Sequence, residues 1–201
     1  METYNISSIT KKIYDSRLHL FTSKTLRDIL GVWKENTTFN IIQRLIRGNV
    51  LYKIERNKYI LKDASVSDFS LACFLYHPSY ISFETALNFH GILSQFPYGV
   101  TSATTRKTIQ KNVESKQFSY FHIKKDLFWG YDKKDDFLIA SAEKALLDQL
   151  YFTTKGLKKT DLEDYDLSAI TVSRLKEYIK EYPDTVQWKK IVKQLKKHSA
   201  I

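Results

Sequence analysis

Apolar residues in the first third of the chain recur every three to four positions, which is the spacing of amphipathic helices. The pattern predicts three helices over about residues 7–18, 24–30 and 36–47. Residues 19–22 are predicted to be extended, and Gly31 is expected to close the second helix because glycine reaches positive φ without steric cost.

Short polar residues mark where these helices begin. Ser7 or Ser8 is predicted to cap the first helix, and Thr22 or Ser23 the second. Their side-chain oxygens can accept a hydrogen bond from a backbone amide that has no partner within the helix.

The third helix has two distinct faces. The apolar residues at helical spacing are predicted to be buried together: Phe39, Ile41, Ile42, Leu45 and Ile46. The polar residues of the opposite face are Thr37, Asn40, Arg44 and Arg47. This face is expected to be exposed.

The period changes after the third helix. Residues 50–54 and 59–61 are rich in β-formers and flank the polar turn 55–58, so they predict a hairpin. Three helices followed by a two-stranded hairpin is the order of a winged helix-turn-helix, in which the third helix enters the major groove and the hairpin, or wing, lies along the backbone. Residues 1–63 are therefore predicted to form a DNA-binding domain.

The side chains of this region suit DNA chemistry. Arginines can bind phosphates or guanine edges, amides can pair with adenine, threonines can donate from a helix start, and the hairpin tip can contact the backbone. The predicted DNA-binding residues are Thr37, Thr38, Asn40, Gln43, Arg44, Arg47, Arg56 and Lys58. Two alternatives stay open: an ordinary solvated helix face, and a winged helix that mainly binds protein with incidental DNA contact.

Residues 64–201 are predicted to form a second, mixed domain after a polar linker. Strands are expected over 100–105, 117–123 and 137–139, because Thr, Val, Phe and Tyr alternate there. Helices are expected over 68–76, 83–90 and from 141 to about 152, with 156–166 as a loop. The fold class of the whole chain is therefore predicted to be α+β.

Two C-terminal helices are predicted, over 171–181 and from Thr185 to about His198, separated at Pro183. The last helix combines an apolar side with five lysines: Lys189, Lys190, Lys193, Lys196 and Lys197. A solvated face, a surface for nucleic acid or an acidic partner, and a membrane contact all remain open for these lysines.

Charge is concentrated at the two ends of the chain. The net charge is +10, of which residues 1–63 carry +6, residues 64–170 carry −1 and residues 171–201 carry +5. This excess favours anionic partners. The single cysteine excludes an intramolecular disulfide, and no apolar run is long enough to span a bilayer, so we expect a soluble cytoplasmic protein with no membrane-embedded part.

The side chains that could be catalytic are poorly supported by their spacing and predicted surroundings. Glu84 and His90 do not share a helix face, the lone Cys73 is typical of a buried small residue, and the five histidines are scattered, so no metal site is predicted. Asp164 and Asp166 have the spacing that nucleotidyltransferases use for magnesium, but they lie in a predicted loop. No glycine-rich phosphate loop is present, so neither an enzyme nor a cofactor is expected.

Two further segments resemble a known family. The sequence PSYISFETALNFHG at residues 78–91 and the sequence IASAEKALLD at residues 139–148 are similar to segments of the AbiEi-type antitoxins of type IV toxin–antitoxin (abortive infection) systems. Residues 48–61, Pro97 and Arg106 fall at corresponding places. The resemblance covers roughly residues 10–155, and the basic last helix departs from it.

The resemblance implies a phage-defence function. Such proteins are repressors whose winged helix binds operator double-stranded DNA of their own operon, and whose second domain counteracts a nucleotidyltransferase-like toxin. It implies that Thr37, Asn40, Arg44 and Arg47 read the operator, and that residues 90–91 and 143–144 define the antitoxin fold. No toxin-contacting residue is implied, and a dimer could form on DNA only.

Overall fold

A computed structural model describes residues 5–199 of the chain. The chain divides into two compact units between Ser67 and Asp68. The sequence pattern predicted this boundary after residue 63. Within the described residues, helices combine with a three-stranded and a six-stranded sheet, so the fold is α+β. None of the helices in this range has the length and apolarity needed to cross a bilayer.

The first unit begins with helices and ends with a hairpin. Its described elements are α1 (Ile6–Asp15), β1 (Leu20–Thr22), α2 (Ser23–Leu30), α3 (Glu35–Arg47), β2 (Leu51–Glu55) and β3 (Lys58–Leu61). The strands are antiparallel in the order β1-β3-β2. One apolar cluster joins the helices to this sheet, with Ile13, Phe21, Leu26 and Leu45 fully buried in it.

Local capping explains most of these helix limits. Asn5, rather than Ser7 or Ser8, caps α1, since its side chain accepts a hydrogen bond from the Ser7 amide at 2.9 Å. The helix ends at Asp15, earlier than predicted. Thr22 caps α2 through the Thr25 amide at 3.0 Å, and Gly31 closes α2 at φ 67°.

Phe39 does not join the core. The buried positions of α3 are Thr38, Ile41, Ile42 and Leu45, an i, i+3, i+4, i+7 set. Phe39 lies about 100° around the helix from Thr38, and its side chain is 58% exposed. The prediction that Phe39 is buried was wrong because Thr38 occupies the core position.

The second unit contains the six-stranded sheet and the remaining helices. Its described elements are α4 (Asp68–Leu75), β4 (Ser79–Ile81), α5 (Phe83–Phe89), β5 (Val100–Thr104), β6 (Ile109–Val113), β7 (Lys116–His122), β8 (Tyr131–Lys134), β9 (Phe137–Ala140), α6 (Ala142–Thr154), α7 (Val172–Ile179) and α8 (Val186–Ser199), with short 3-10 turns at Lys125–Leu127, Leu162–Asp164 and Leu167–Ala169.

The sheet of the second unit has the strand order β6-β7-β5-β4-β9-β8. The pairs β5–β7 and β4–β9 are parallel, and the other neighbours are antiparallel. Helix α6 lies in the centre of the unit, since residues 143–152 of this helix are all buried. Helices α5, α7 and α8 pack against it.

A buried polar cluster lies where α6 meets β4 and the segment after α7. The Lys144 ammonium binds the Asp148 carboxylate, one turn further along α6, and donates to the Tyr182 hydroxyl at 2.8 Å. Asp148 also accepts hydrogen bonds from Tyr182, Tyr80 and Ser82 at 2.7, 2.9 and 2.8 Å. These five side chains, which we call the Lys144–Asp148 cluster, join three distant parts of the chain.

Burial governs the protonation of the Lys144–Asp148 cluster. Desolvation lowers the pKa of Lys144, and the neighbouring Asp148 carboxylate opposes that shift. Desolvation, together with the same carboxylate, raises the pKa values of Tyr80 and Tyr182 well above their usual range. Both tyrosines therefore stay protonated and serve as hydrogen-bond donors.

Candidate nucleic-acid interface

A groove on the first unit runs between α3, the start of α2 and the β2–β3 hairpin. Its volume is about 1010 Å³. The residues that line it are Thr22, Ser23, Lys24, Arg27, Glu35, Asn36, Thr38, Phe39, Ile42, Gln43, Lys53, Arg56, Asn57, Lys58 and Tyr59. We call this feature the α3–hairpin groove.

Hydrogen bonds hold the hairpin tip beside α2. The Ser23 amide donates to the Asn57 carbonyl at 3.2 Å, and the Ser23 hydroxyl lies 3.3 Å from the Asn57 side-chain oxygen. Asn57 adopts φ 61° in the turn, a conformation that asparagine tolerates better than most residues. Strand β1 also pairs with β3, so the hairpin is the continuation of a sheet rather than a free arm.

The exposed face of α3 carries an ordered set of polar side chains. Asn36, Asn40, Gln43 and Arg47 follow i, i+4, i+7, i+11 spacing opposite the buried residues, so they form one stripe along the helix. Asn36, Asn40 and Arg47 are exposed, and Gln43 is half-buried. Side chains in such a stripe can reach base edges if the helix enters a groove of DNA.

The predicted DNA-binding residues therefore divide by position. Gln43, Arg56 and Lys58 line the α3–hairpin groove, and Arg56 at the hairpin tip is exposed. Asn40, Arg44 and Arg47 are exposed on α3 but do not line the groove, and half-buried Thr37 does not line it either.

Thr38 was predicted to contact DNA, but it does not lie on the surface of α3. Its side chain is buried, with 3% exposure, and its hydroxyl lies 3.1 Å from both the Val32 and Lys34 carbonyl oxygens. The hydroxyl thus ties the α2–α3 turn to the first turn of α3. Thr38 supports the surface of α3 from below and does not present its hydroxyl to a ligand.

Replacing Thr38 by valine is expected to weaken the fold and leave ligand binding intact. Valine keeps the shape but leaves the buried Val32 carbonyl without its hydroxyl partner, which costs about 1–3 kcal/mol of unfolding free energy. Urea unfolding of Thr38→Val measures this loss. Thr37→Val is the matched control and should unfold like the wild type; equal stability of both variants would contradict the assignment.

The groove is electropositive. Lys24, Arg27, Lys53, Arg56 and Lys58 line it against a single lining carboxylate, Glu35. Two of the positive charges have carboxylate partners: Lys58 pairs with Glu55, and Arg27 lies 3.5 Å from Glu35. The remaining excess favours an anionic ligand.

Sequence reasoning missed several groove residues. Asn36, Lys24, Lys53 and Asn57 lie beside the predicted residues, although they were not among the predicted contacts. Asn36 could have been found by extending the i, i+4 stripe of α3 one turn towards its start. Lys24 and Asn57 become neighbours of α3 through the pairing of β1 with β3, which local patterns do not reveal.

The weak catalytic candidates have structural partners. Glu84 accepts from Lys158 at 2.6 Å, His90 Nε2 lies 2.8 Å from the Ala140 carbonyl, and the Cys73 thiol lies 3.7 Å from the Leu138 carbonyl. Asp164 belongs to a 3-10 turn, and Asp166 accepts from the Ser168 amide at the start of the next one. Across residues 5–199, no three His, Cys, Asp or Glu side chains are grouped as a metal ion would require.

Comparison with known proteins adds no identification. No protein-family model matches the chain, and no curated protein matches it significantly. A function for this protein is therefore inferred from the geometry of the α3–hairpin groove.

Proposed function

We propose that the first unit is a winged helix-turn-helix that binds operator double-stranded DNA and represses the gene of this protein. The observation that carries the proposal is the polar stripe of α3 next to the electropositive α3–hairpin groove. In this arrangement α3 enters the major groove, while Arg56 at the hairpin tip contacts the sugar–phosphate backbone.

The stripe and the hairpin have different roles in this proposal. Asn40 and Gln43 are amides that can pair with adenine, and Arg47 can pair with guanine, so they would supply sequence preference. Lys53 and Arg56 would neutralise phosphates, which positions the protein without reading sequence. Their contribution should weaken steeply with salt because phosphate binding releases counterions.

For the second unit we propose the antitoxin activity implied by the resemblance to AbiEi-type proteins. The residues that carry this resemblance include Lys144 and Asp148 of the buried cluster. Their burial supports a role in maintaining the fold of that unit rather than direct contact with a toxin. Neutralisation of a nucleotidyltransferase-like toxin would then depend on this unit and not on the α3 stripe.

A second candidate function is supported by exposed aromatic side chains. Trp33, in the α2–α3 turn, is 76% exposed, and Phe39 lies in the α3–hairpin groove. Aromatic residues are enriched in protein–protein interfaces. A winged helix that binds protein through this groove is therefore the alternative.

A gel-shift titration separates the two candidates. The full chain is titrated against the duplex directly upstream of its own gene and against a scrambled duplex of equal composition, at 50 and 150 mM salt. A repressor is expected to bind the upstream duplex at least about 100-fold more tightly than the scrambled one, and to keep that preference at the higher salt. Equal binding that disappears at the higher salt would overturn sequence-specific repression and favour the protein-binding alternative.

A further inference from the structure

Helix α8 of the second unit carries a lysine stripe. Residues 186–199 contain five lysines and no carboxylate. Successive helical residues are about 100° apart, so all five lysines fall within roughly a third of the helix circumference and about 12 Å along the axis. We call Lys189, Lys190, Lys193, Lys196 and Lys197 the α8 lysine stripe.

Most of the positive charge of the α8 lysine stripe is not neutralised by carboxylates. Its lysines are all exposed, and Lys189 lies 2.9 Å from Asp184. Across the described residues 5–199, the other four have no carboxylate within ion-pair distance, although Asp161 and Glu163 share a surface cleft with Lys197. Lysines three and four positions apart on one helix face repel each other, and an anionic partner would remove that repulsion.

The opposite side of α8 is already occupied. Trp188, Val192 and Leu195 are buried, and Trp188 stacks on Tyr182 with 4.8 Å between ring centres. An amphipathic helix that lies on a membrane needs its apolar face free to enter the lipid. The burial of this face in the second unit disfavours membrane binding.

The composition of the stripe also distinguishes between anionic partners. Lysine is depleted in protein–protein interfaces, whereas arginine and aromatic residues are enriched. The stripe has neither arginine nor an aromatic residue, and Val186 is the exposed apolar residue beside it. A helix face with closely spaced ammonium groups, and without arginine or aromatic side chains, is suited to bind a regular row of phosphates.

We propose that the α8 lysine stripe is a second nucleic-acid surface, which binds the phosphodiester backbone of duplex DNA without sequence preference. The α8 lysine stripe belongs to the second unit, whereas the α3–hairpin groove belongs to the first. The proposal does not depend on operator recognition, because a random duplex presents the same backbone.

The salt dependence of binding to a random duplex tests the proposal. Each phosphate contact contributes about 0.9 to the slope of log affinity against log salt. Replacing all five stripe lysines by glutamine in the full chain should therefore lower the magnitude of the slope by about 3–4 units. Fluorescence anisotropy with a labelled 30-base-pair random duplex gives the slope, and circular dichroism checks that the variant is folded.

The matched control removes the same charge from scattered positions of the same unit. Lys124, Lys125, Lys133, Lys159 and Lys176 are exposed, and their replacement by glutamine gives a variant of identical net charge. This control should change the slope by less than about 1 unit. Equal losses in the two variants would show that only net charge matters, and an unchanged slope in the stripe variant would exclude α8 from the contact; either result overturns the proposal.

Two further probes test the class of partner. Poly-glutamate of matched charge and phosphatidylserine vesicles are titrated with the wild type and the stripe variant. Stripe-dependent binding is expected for the duplex and absent for both other probes. Binding of either probe as tight as that of the duplex, with the same dependence on the stripe, would overturn the assignment to nucleic acid in favour of an acidic protein or a membrane.

Discussion

Asp148→Ala is expected to destabilise the second unit by about 3–5 kcal/mol, because it leaves the Lys144 ammonium buried without its counter-charge. The same change removes the acceptor for the hydroxyls of Tyr80, Ser82 and Tyr182. Equilibrium unfolding in urea, followed by tryptophan fluorescence, measures the loss. Trp188 reports on this region because it stacks on Tyr182.

Three companion variants make the result specific to the cluster. Asp184→Ala makes the same chemical change in an exposed ion pair and should cost less than about 1 kcal/mol. Tyr182→Phe removes one hydroxyl and should cost roughly 1–2 kcal/mol. Replacing Lys144 by methionine together with Asp148 by leucine should recover most of the lost stability, since no unpaired charge remains. If Asp148→Ala unfolded within 1 kcal/mol of the wild type, the cluster would not stabilise the unit.

Arg44→Ala combined with Arg47→Ala is expected to weaken operator binding by roughly 30-fold or more, because each arginine that contacts a base or phosphate contributes about 1–3 kcal/mol. Both side chains are exposed on α3, so the fold should be retained. Gel shift against the upstream duplex measures the affinity, and urea unfolding checks the stability.

The double arginine variant has a charge-matched control on the same unit. Lys11 and Lys12 are exposed on α1, and their replacement by alanine removes the same two charges. This control should lower affinity for the upstream and scrambled duplexes alike, and only by a few fold. If the arginine variant bound the upstream duplex like the wild type, α3 would not be the element that reads DNA. The proposed antitoxin activity of the second unit makes a further prediction: both variants should still neutralise a co-expressed nucleotidyltransferase-like toxin, because neither change touches that unit.

The elements of the first unit were predictable because their signals are local. The Thr22 cap, Gly31 at the end of α2 and the apolar spacing of α3 depend on residues within a few positions of each other. The error at Phe39 has the same origin. The pattern favoured the larger apolar side chain, but the i, i+3, i+4, i+7 spacing of the buried residues places Thr38 towards the core, where its hydroxyl bonds to the α2–α3 turn.

The second unit was less predictable because its organisation depends on distant pairing. Strands β4, β6 and β8 were missed since they are short or carry polar residues on exposed positions, as in the Tyr131–Lys134 strand. Glu143 likewise depends on a distant partner, because it accepts a hydrogen bond from the Thr171 amide at 2.9 Å. The Lys144–Asp148 cluster was missed for a related reason: Tyr80 and Tyr182 reach Asp148 from far along the chain, and no local pattern marks them as its partners.

The two units become able to complete their cores at different points of translation. The apolar residues that build the α1–β3 core all come from residues 5–67, so this unit can fold while the rest of the chain is still being made. The Lys144 ammonium, in contrast, lacks its Tyr182 partner until the segment after α7 has emerged. The second unit must therefore complete its core after translation has passed α7. A ribosome that stops before this point would release a chain whose first unit is folded and whose second unit is not.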